Sequence, residues 1–219
     1  MMDEKKVKKI EEDEDDPIFP MPEYKNGFTM GIVGRKGSGK TTLLVDLLHS
    51  VYLHQFDIII VVSQTWHLQE LKMGSFKGFV LFKKFSPVVI ETVRRFMEGR
   101  TERCLLILDD LGLIRLNSPE AMALNSLCTY QRHYNISVVQ LGQRLTMLHT
   151  TVRSQLDCLI IFAEANHHER ALLFTNFGFG DKEKFWDIFT NYTTEKHSWV
   201  GIRHVAGRYF FFNENGRIE

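Results

Sequence analysis

FTMGIVGRKGSGKTTLLVDLL, residues 28–48, decides how the rest of the chain is read. An apolar run (28–33) leads into a glycine-rich turn, and the turn opens directly into apolar residues at helical spacing. The turn, GRKGSGKT (34–41), fits G-x-x-x-x-G-K-[ST] and stands between a strand and a helix, the context the motif requires. Its glycines let the loop wrap so that backbone N–H groups point inward. The helix that follows adds the positive end of its dipole, so the whole cradles an anion such as phosphate. The expected cradle is Gly34, Arg35, Lys36, Gly37, Ser38, Gly39, Lys40, Thr41 and Thr42. Lys40 is expected to bridge the β- and γ-phosphates of ATP, and the Thr41 hydroxyl to bind Mg²⁺.

Further short apolar runs follow: DIIIVV (57–62), CLLIL (104–108), ISVVQL (136–141) and CLIIFA (158–163). Runs of five or six apolar residues suit strands buried on both faces, as in parallel sheets covered by helices. Helical stretches lie between them. TTLLVDLLHSVYL follows the first strand and PVVIETVRRFMEG precedes the third. SPEAMALNSLCTYQRHY precedes the fourth, with Ser118 as N-cap and Pro119 at the first helical position. This alternation predicts an α/β fold, doubly wound on a mostly parallel sheet. HSWVGIRHV and GRYFFFN flank a turn near 206–207 and predict a closing C-terminal β-hairpin.

The length of 219 residues suits one domain, and 44% hydrophobic with 25% charged residues is a globular composition. Formal charge is zero overall, so no global basic field announces nucleic acid. Residues 1–16 hold eight acids against four lysines, net −4, which leaves about +4 on the remainder. We read 1–26 as an acidic tail followed by a proline-rich strap, and 27–219 as the folded domain. No apolar run approaches the ~20 residues that span a bilayer, and the charged start does not read as a signal peptide. Cys104, Cys128 and Cys158 lie in apolar contexts without metal-ligand spacing, which predicts buried, reduced thiols. An intracellular setting follows.

CLLILDDLG (104–112) supplies the second part of a site. Strand C-termini converge on the ligand crevice of a parallel sheet, so Asp109 and Asp110 are expected beside the phosphates. Asp109 is the expected Mg²⁺ ligand, through water, and Asp110 the general base that polarises the attacking water. The strand in QRHYNISVVQLGQ (131–143) is then a third central one, and Gln143 at its end is placed to hydrogen-bond the γ-phosphate or the lytic water. Arg132 has two readings. It is either a cation at a helix C-terminus that complements the dipole, or an arginine finger reaching a neighbouring subunit's ATP.

Together these segments, with LHTTVRSQLDCLIIF after them, resemble the viral genome-packaging ATPases of the FtsK–HerA superfamily, the poxvirus-type branch. Arg132-His133, Ile136, Gln143 and Thr151-Val152-Arg153 stand in the order of that branch's motifs, and the resemblance covers roughly residues 28–165. It implies a RecA/FtsK-like P-loop NTPase that hydrolyses ATP and drives double-stranded DNA, independent of sequence, into a preformed capsid. It also implies a homo-oligomeric ring (pentamer or hexamer), a capsid or portal-vertex partner, and action in the host cytoplasm or at the viral assembly site, with association to the virion. By the same resemblance Arg132 is the trans-acting arginine, and Arg153 a second candidate for a phosphate contact or a subunit interface. Asp110 stands where many members have Glu.

Lys72, Lys77, Lys83 and Lys84 interleave with Trp66, Phe76 and Phe79 in 63–85, a composition that suits contact with a nucleic-acid backbone and equally suits solvated lysines beside core aromatics. The aromatic-rich C-terminal part reads as core or subunit interface. His167 and His168 have no third ligand at metal spacing and read as the start of a helix. Two other activities compete: a helicase-loader or transposition ATPase of the AAA+ type, and a nucleotide-gated assembly module that does not hydrolyse. The first is expected to carry Asn or Thr where Gln143 stands, and the second to tolerate Asp110→Asn.

Overall fold

The structure, a computed structural model, describes residues 21–22, 27–66, 78–109, 111, 114, 118–163, 166–178, 181–205 and 208–218. The acidic tail, most of the strap, Asp110, the 67–77 part of the basic-aromatic segment and the turn at 206–207 lie outside the described residues.

The chain runs β1 (Thr29–Val33), α1 (Lys40–Leu47), β2 (Ile58–Val62), β3 (Phe79–Phe82), α2 (Pro87–Met97), β4 (Cys104–Leu108), α3 (Pro119–Tyr130) and β5 (Ile136–Gly142). It continues through α4 (Thr150–Ser154), β6 (Cys158–Phe162), α5 (His167–Phe177), α6 (Lys182–Tyr192), β7 (Trp199–Val205), β8 (Arg208–Asn213) and β9 (Gly216–Ile218). Among the described residues, nine strands form one sheet in the order β3-β2-β4-β5-β1-β6-β7-β8-β9. The first six are mutually parallel and the last three run antiparallel. The fold class read from the sequence is therefore the one observed.

Every residue of β1, β2, β4, β5 and β6 is buried, as continuous apolar runs require. Alternate residues serve opposite faces. Ile59, Val61, Leu105 and Ile107 pack with Leu44, Leu47 and Tyr52 of the α1 region. Ile58, Ile60, Val62, Leu106 and Leu108 meet Ile90 and Val93 of α2 and Leu124 and Leu127 of α3. Farther along that second face, Leu159, Ile161 and Val200 pack against Val152 of α4, Leu173 of α5 and Phe185 of α6. Ser118 caps α3 by accepting from the Ala121 N–H at 3.2 Å, with Pro119 in the first turn. The three thiols are buried, and desolvation pushes each up to about 12, so none is a ready nucleophile.

Three features depart from the reading of the sequence. β3 is an additional strand, four residues long and only partly buried, so it lacks the continuous apolar run that marks the others. The C-terminal pair is extended by β9, three residues paired to β8, into a three-stranded meander. The first helix changes pitch: beyond α1 the Leu53 N–H reaches the Leu48 carbonyl, five residues back, at 2.8 Å.

Candidate functional site

The sheet order puts β5 between β1 and β4, with β6 on the other flank of β1. Val33, the last residue of β1, pairs with Gly142, and the Gly34 N–H donates to the Gly142 carbonyl at 3.1 Å. Gln143 is thus the residue immediately beside the start of the glycine loop, and it is exposed. On the far side of β5, Leu108 pairs with Gln140, so Asp109 emerges at the same edge. The loop, Asp109 and Gln143 converge at the C-terminal edge of one parallel sheet.

Local chemistry explains the loop. A Cβ on Gly34 would lie 2.6 Å from Ser38 Oγ and 2.8 Å from Phe162 Cβ, so only glycine fits where the loop doubles back. Gly39, the N-cap of α1, has φ 103°, a left-handed conformation that favours glycine. The first N–H groups of α1, which begins directly after the loop, have no acceptor within the helix. Lys40 Nζ donates to the carbonyls of Gly34 at 2.6 Å and Arg35 at 2.9 Å, which fixes its charge across the opening. Arg35, Lys36, Gly37, Thr41 and Thr42 are exposed; Ser38 and Gly39 are half-buried.

Asp109 is 9% exposed. Its Oδ2 accepts from Ser63 Oγ at 3.1 Å, and its N–H donates to the Val62 carbonyl at 2.9 Å. Ser63 follows β2 and is itself fixed, because its oxygen accepts from the N–H groups of Thr65 at 3.2 Å and Trp66 at 3.3 Å. The hydroxyl proton is left for the carboxylate, which it orients. Thr41 and Asp109 are a hard, all-oxygen donor set, and Mg²⁺ takes few protein ligands beside phosphates and water. Ser63→Ala is expected to raise the Mg²⁺ concentration for half-maximal turnover about tenfold, within the usual range for an outer-shell partner. An unchanged Mg²⁺ dependence of the rate would remove this role.

The turn that follows Gln143 is tied down twice. Thr146 donates from Oγ1 to Glu169 Oε1 at 2.6 Å and from N–H to Glu169 Oε2 at 3.2 Å. Gln140 Nε2 donates to the Met147 carbonyl at 3.3 Å. Glu169, on α5, is 4% exposed, so the start of the helix predicted around His167 and His168 carries a buried carboxylate as well as surface imidazoles. His197, in the turn between α6 and β7, closes the loop from its other side. The Ser38 carbonyl, 3.0 Å from its Nδ1, can only accept, so the ring donates through Nδ1. The sequence reading singled out none of Ser63, Glu169 and His197.

The two arginines lie elsewhere. Arg132 belongs to the 3₁₀ turn Gln131–Tyr134 that enters β5, at the sheet edge opposite the glycine loop. Its side chain is 60% exposed, and Nη2 stands 3.5 Å from Asp157 Oδ1. Asp157 also accepts from the Thr29 N–H at 2.8 Å, and Gln131 Nε2 donates to Thr29 Oγ1 at 2.6 Å, so this edge is well braced. Arg153 sits on α4 in the helical layer, and its buried Nε has no hydrogen-bond partner among the described residues. Burial first, and the Arg153 charge second, depress the basicity of His149, the N-cap of α4, whose Nδ1 accepts from the Thr151 N–H. In the basic-aromatic segment, Trp66 is buried and Phe79 is partly buried, while Lys83 and Lys84 line a cavity of about 340 Å³ that also reaches Asp109. Lys72, Phe76 and Lys77 lie outside the described residues, as does Asp110.

The fold recurs in known proteins. The genome packaging NTPase B204 from Sulfolobus turreted icosahedral virus 2, in complex with AMP, superposes with a TM-score of 0.65 at 14% identity, over 86% of this chain and 98% of that one. The DNA-packaging ATPase B204 of Sulfolobus Turreted Icosahedral Virus gives 0.64 at 16% identity, over 85% and 97%. At such identity the likeness establishes a shared P-loop NTPase fold. A protein called uncharacterized protein 015R, from Frog virus 3 (isolate Goorha), is 28% identical over 160 residues, 69% of this chain and 48% of the relative. The chain thus spans about half the length of that curated relative. The family model described as Poxvirus A32 protein matches residues 23–190, most of the chain, and by that match the chain belongs to the poxvirus A32 protein family.

Proposed function

We propose that the chain is an ATP-hydrolysing motor that moves double-stranded DNA into a preformed capsid. The observation that carries this reading is the convergence of the glycine loop, Asp109 and Gln143 at one sheet edge, joined by the Gly34–Gly142 hydrogen bond. Membership of the A32 family and a fold shared with proteins described as genome packaging NTPases support it.

In this reading the loop N–H groups and the N-terminus of α1 hold the phosphates, and Lys40 turns from its two carbonyls to the β- and γ-phosphates. Thr41 and Asp109 hold Mg²⁺, which when bound neutralises charge on the phosphates. Asp110 orients and polarises the attacking water, and Gln143 hydrogen-bonds the γ-phosphate or that water. Preorganised donors of this kind act by meeting charge that develops in the transition state. Arg132 completes the site of the next subunit in a ring, and Arg153 contacts phosphate or the subunit boundary. A capsid or portal-vertex protein is the docking partner, and the host cytoplasm or viral assembly site the place of action. Among the described residues no helix is long and apolar enough to cross a membrane.

The test is the steady-state ATPase rate with and without linear double-stranded DNA, with Lys40→Ala protein as the blank. Strong stimulation by DNA is expected. A real but DNA-indifferent rate would replace the motor by a loader or assembly ATPase, and no rate above the blank would leave a nucleotide-binding module.

A further inference from the structure

Two lysines of the basic-aromatic segment stand beside Asp109 on the side away from the phosphate loop. In the sheet order the glycine loop lies to one side of Asp109, beyond β5, and the ends of β2 and β3 lie to the other. Ser63, Lys83, Lys84, Asp109 and Glu120 line the cavity of about 340 Å³ found there. Its charges are layered. Lys83 and Lys84 are exposed, Glu120 is half-buried and Asp109 is buried, so an anion arriving from solvent meets two ammonium groups before either carboxylate. We propose that a phosphodiester of the DNA backbone docks on Lys83 and Lys84, and that Lys83 passes its arrival on to Asp109. The inference rests on the motor reading above and names the residues through which DNA raises turnover.

The connection is a short run of hydrogen bonds across three strand ends. Lys83 Nζ donates to the Trp66 carbonyl. The Trp66 N–H donates to Ser63 Oγ at 3.3 Å, and Ser63 Oγ donates to Asp109 Oδ2 at 3.1 Å. The Ser63 N–H donates to the Phe82 carbonyl at 2.9 Å, and the Asp109 N–H to the Val62 carbonyl at 2.9 Å. The 63–66 turn is thus strapped to the end of β3 at both of its own ends, while its serine orients the carboxylate on β4.

An ammonium has three donors and the Trp66 carbonyl takes one, so Lys83 can hold the turn and a phosphate oxygen together. A phosphodiester is charged and draws the ammonium more strongly than a neutral carbonyl does. Its arrival shifts the pull on Trp66, and with it the set of the Ser63 hydroxyl against Asp109. Lys83 is therefore a positioning residue that acts through Ser63. Among the described residues Lys84 makes no bond to this turn, so it adds affinity for the backbone alone. Inorganic phosphate offers the same oxygens as DNA, and the test separates the two.

The full chain is assayed for ATPase rate against duplex concentration, and for binding of a fluorescein-labelled duplex by anisotropy at several salt concentrations. In Lys83→Gln the ratio of DNA-saturated to DNA-free rate should fall at least about fivefold, the scale of a coupling between sites. Lys84→Gln should reach the wild-type ratio but need more DNA to do so. Each variant should lower the slope of log affinity against log salt by about 0.9, one phosphate contact apiece. Lys83→Arg keeps the charge and the donors, and should recover both the ratio and the slope. A wild-type ratio or a wild-type salt slope in Lys83→Gln would overturn the proposal, and so would a Lys83→Arg protein as impaired as Lys83→Gln. Relief of product inhibition by inorganic phosphate in Lys83→Gln, with the salt slope unchanged, would give the cavity to free phosphate instead. A wild-type rate indifferent to DNA, with no duplex bound, would overturn the motor reading and this inference with it.

Discussion

Lys40→Ala is expected to lower ATP turnover by at least about a hundredfold, into the background, and to weaken ATP binding as well. The Lys40 ammonium lies 2.6 Å and 2.9 Å from two loop carbonyls, so its charge stands at the mouth before any phosphate arrives. Removing it deletes a cation and also leaves the Gly34 and Arg35 carbonyl dipoles without it, facing the incoming anion. An attractive site becomes a repulsive one. The thermal midpoint should move little, because Lys40 is only half-buried at the first position of α1 and alanine suits a helix. A variant that folds normally and still turns over ATP at a tenth of the wild-type rate would sink the phosphate reading.

Arg132→Ala is expected to cost about a thousandfold in DNA-stimulated turnover, as loss of a trans-acting arginine does. The arginine cannot serve its own subunit. It enters β5 at one edge of the sheet and the glycine loop leaves β1 at the other, about 20 Å away at ~3.3 Å per residue. Service to a neighbour requires a head-to-tail contact, in which one subunit's N-terminal edge meets the next subunit's crevice, and such contacts form a ring when the rotation between subunits closes. Its pairing with Asp157 at 3.5 Å, on a side chain 60% exposed, contributes little to stability, so a large loss of rate would not be a folding defect. Mixing Arg132→Ala with Lys40→Ala protein should restore part of the rate, since each supplies what the other lacks at a shared boundary. A rate within twofold of wild type would reduce Arg132 to a partner of Asp157.

Much of the candidate site was legible because it is written in short covalent patterns. The glycine loop, Asp109 and Gln143 each follow directly on an apolar strand, and parallel strands bring their C-termini together without further instruction. Ser63, Glu169 and His197 are written differently. Glu169 meets Thr146 from 23 residues away, and His197 meets Ser38 from 159 residues away. No local spacing signals such pairs; only the packing of α5 and the α6–β7 turn beside the loop creates them. Ser63 came nearest to being readable, as a hydroxyl just past β2 at the same sheet edge as Asp109. The strands read in advance were those buried on both faces. β3 and β9 are short strands near or at the ends of the sheet, where neighbours rather than an apolar run define them.

β5 carries a mechanical consequence. It is the one strand with Arg132 at its entrance and Gln143 at its exit, and all seven of its residues are buried between β1 and β4. Sliding it by a single residue would turn every core side chain to the wrong face, so it has no low-energy way to stretch or slip. The Arg132 turn and Gln143 are therefore joined by seven buried residues whose pairing on both sides leaves no slack in register. In a ring, tension between subunits and the state of the phosphates would then be read by opposite tips of the same strut.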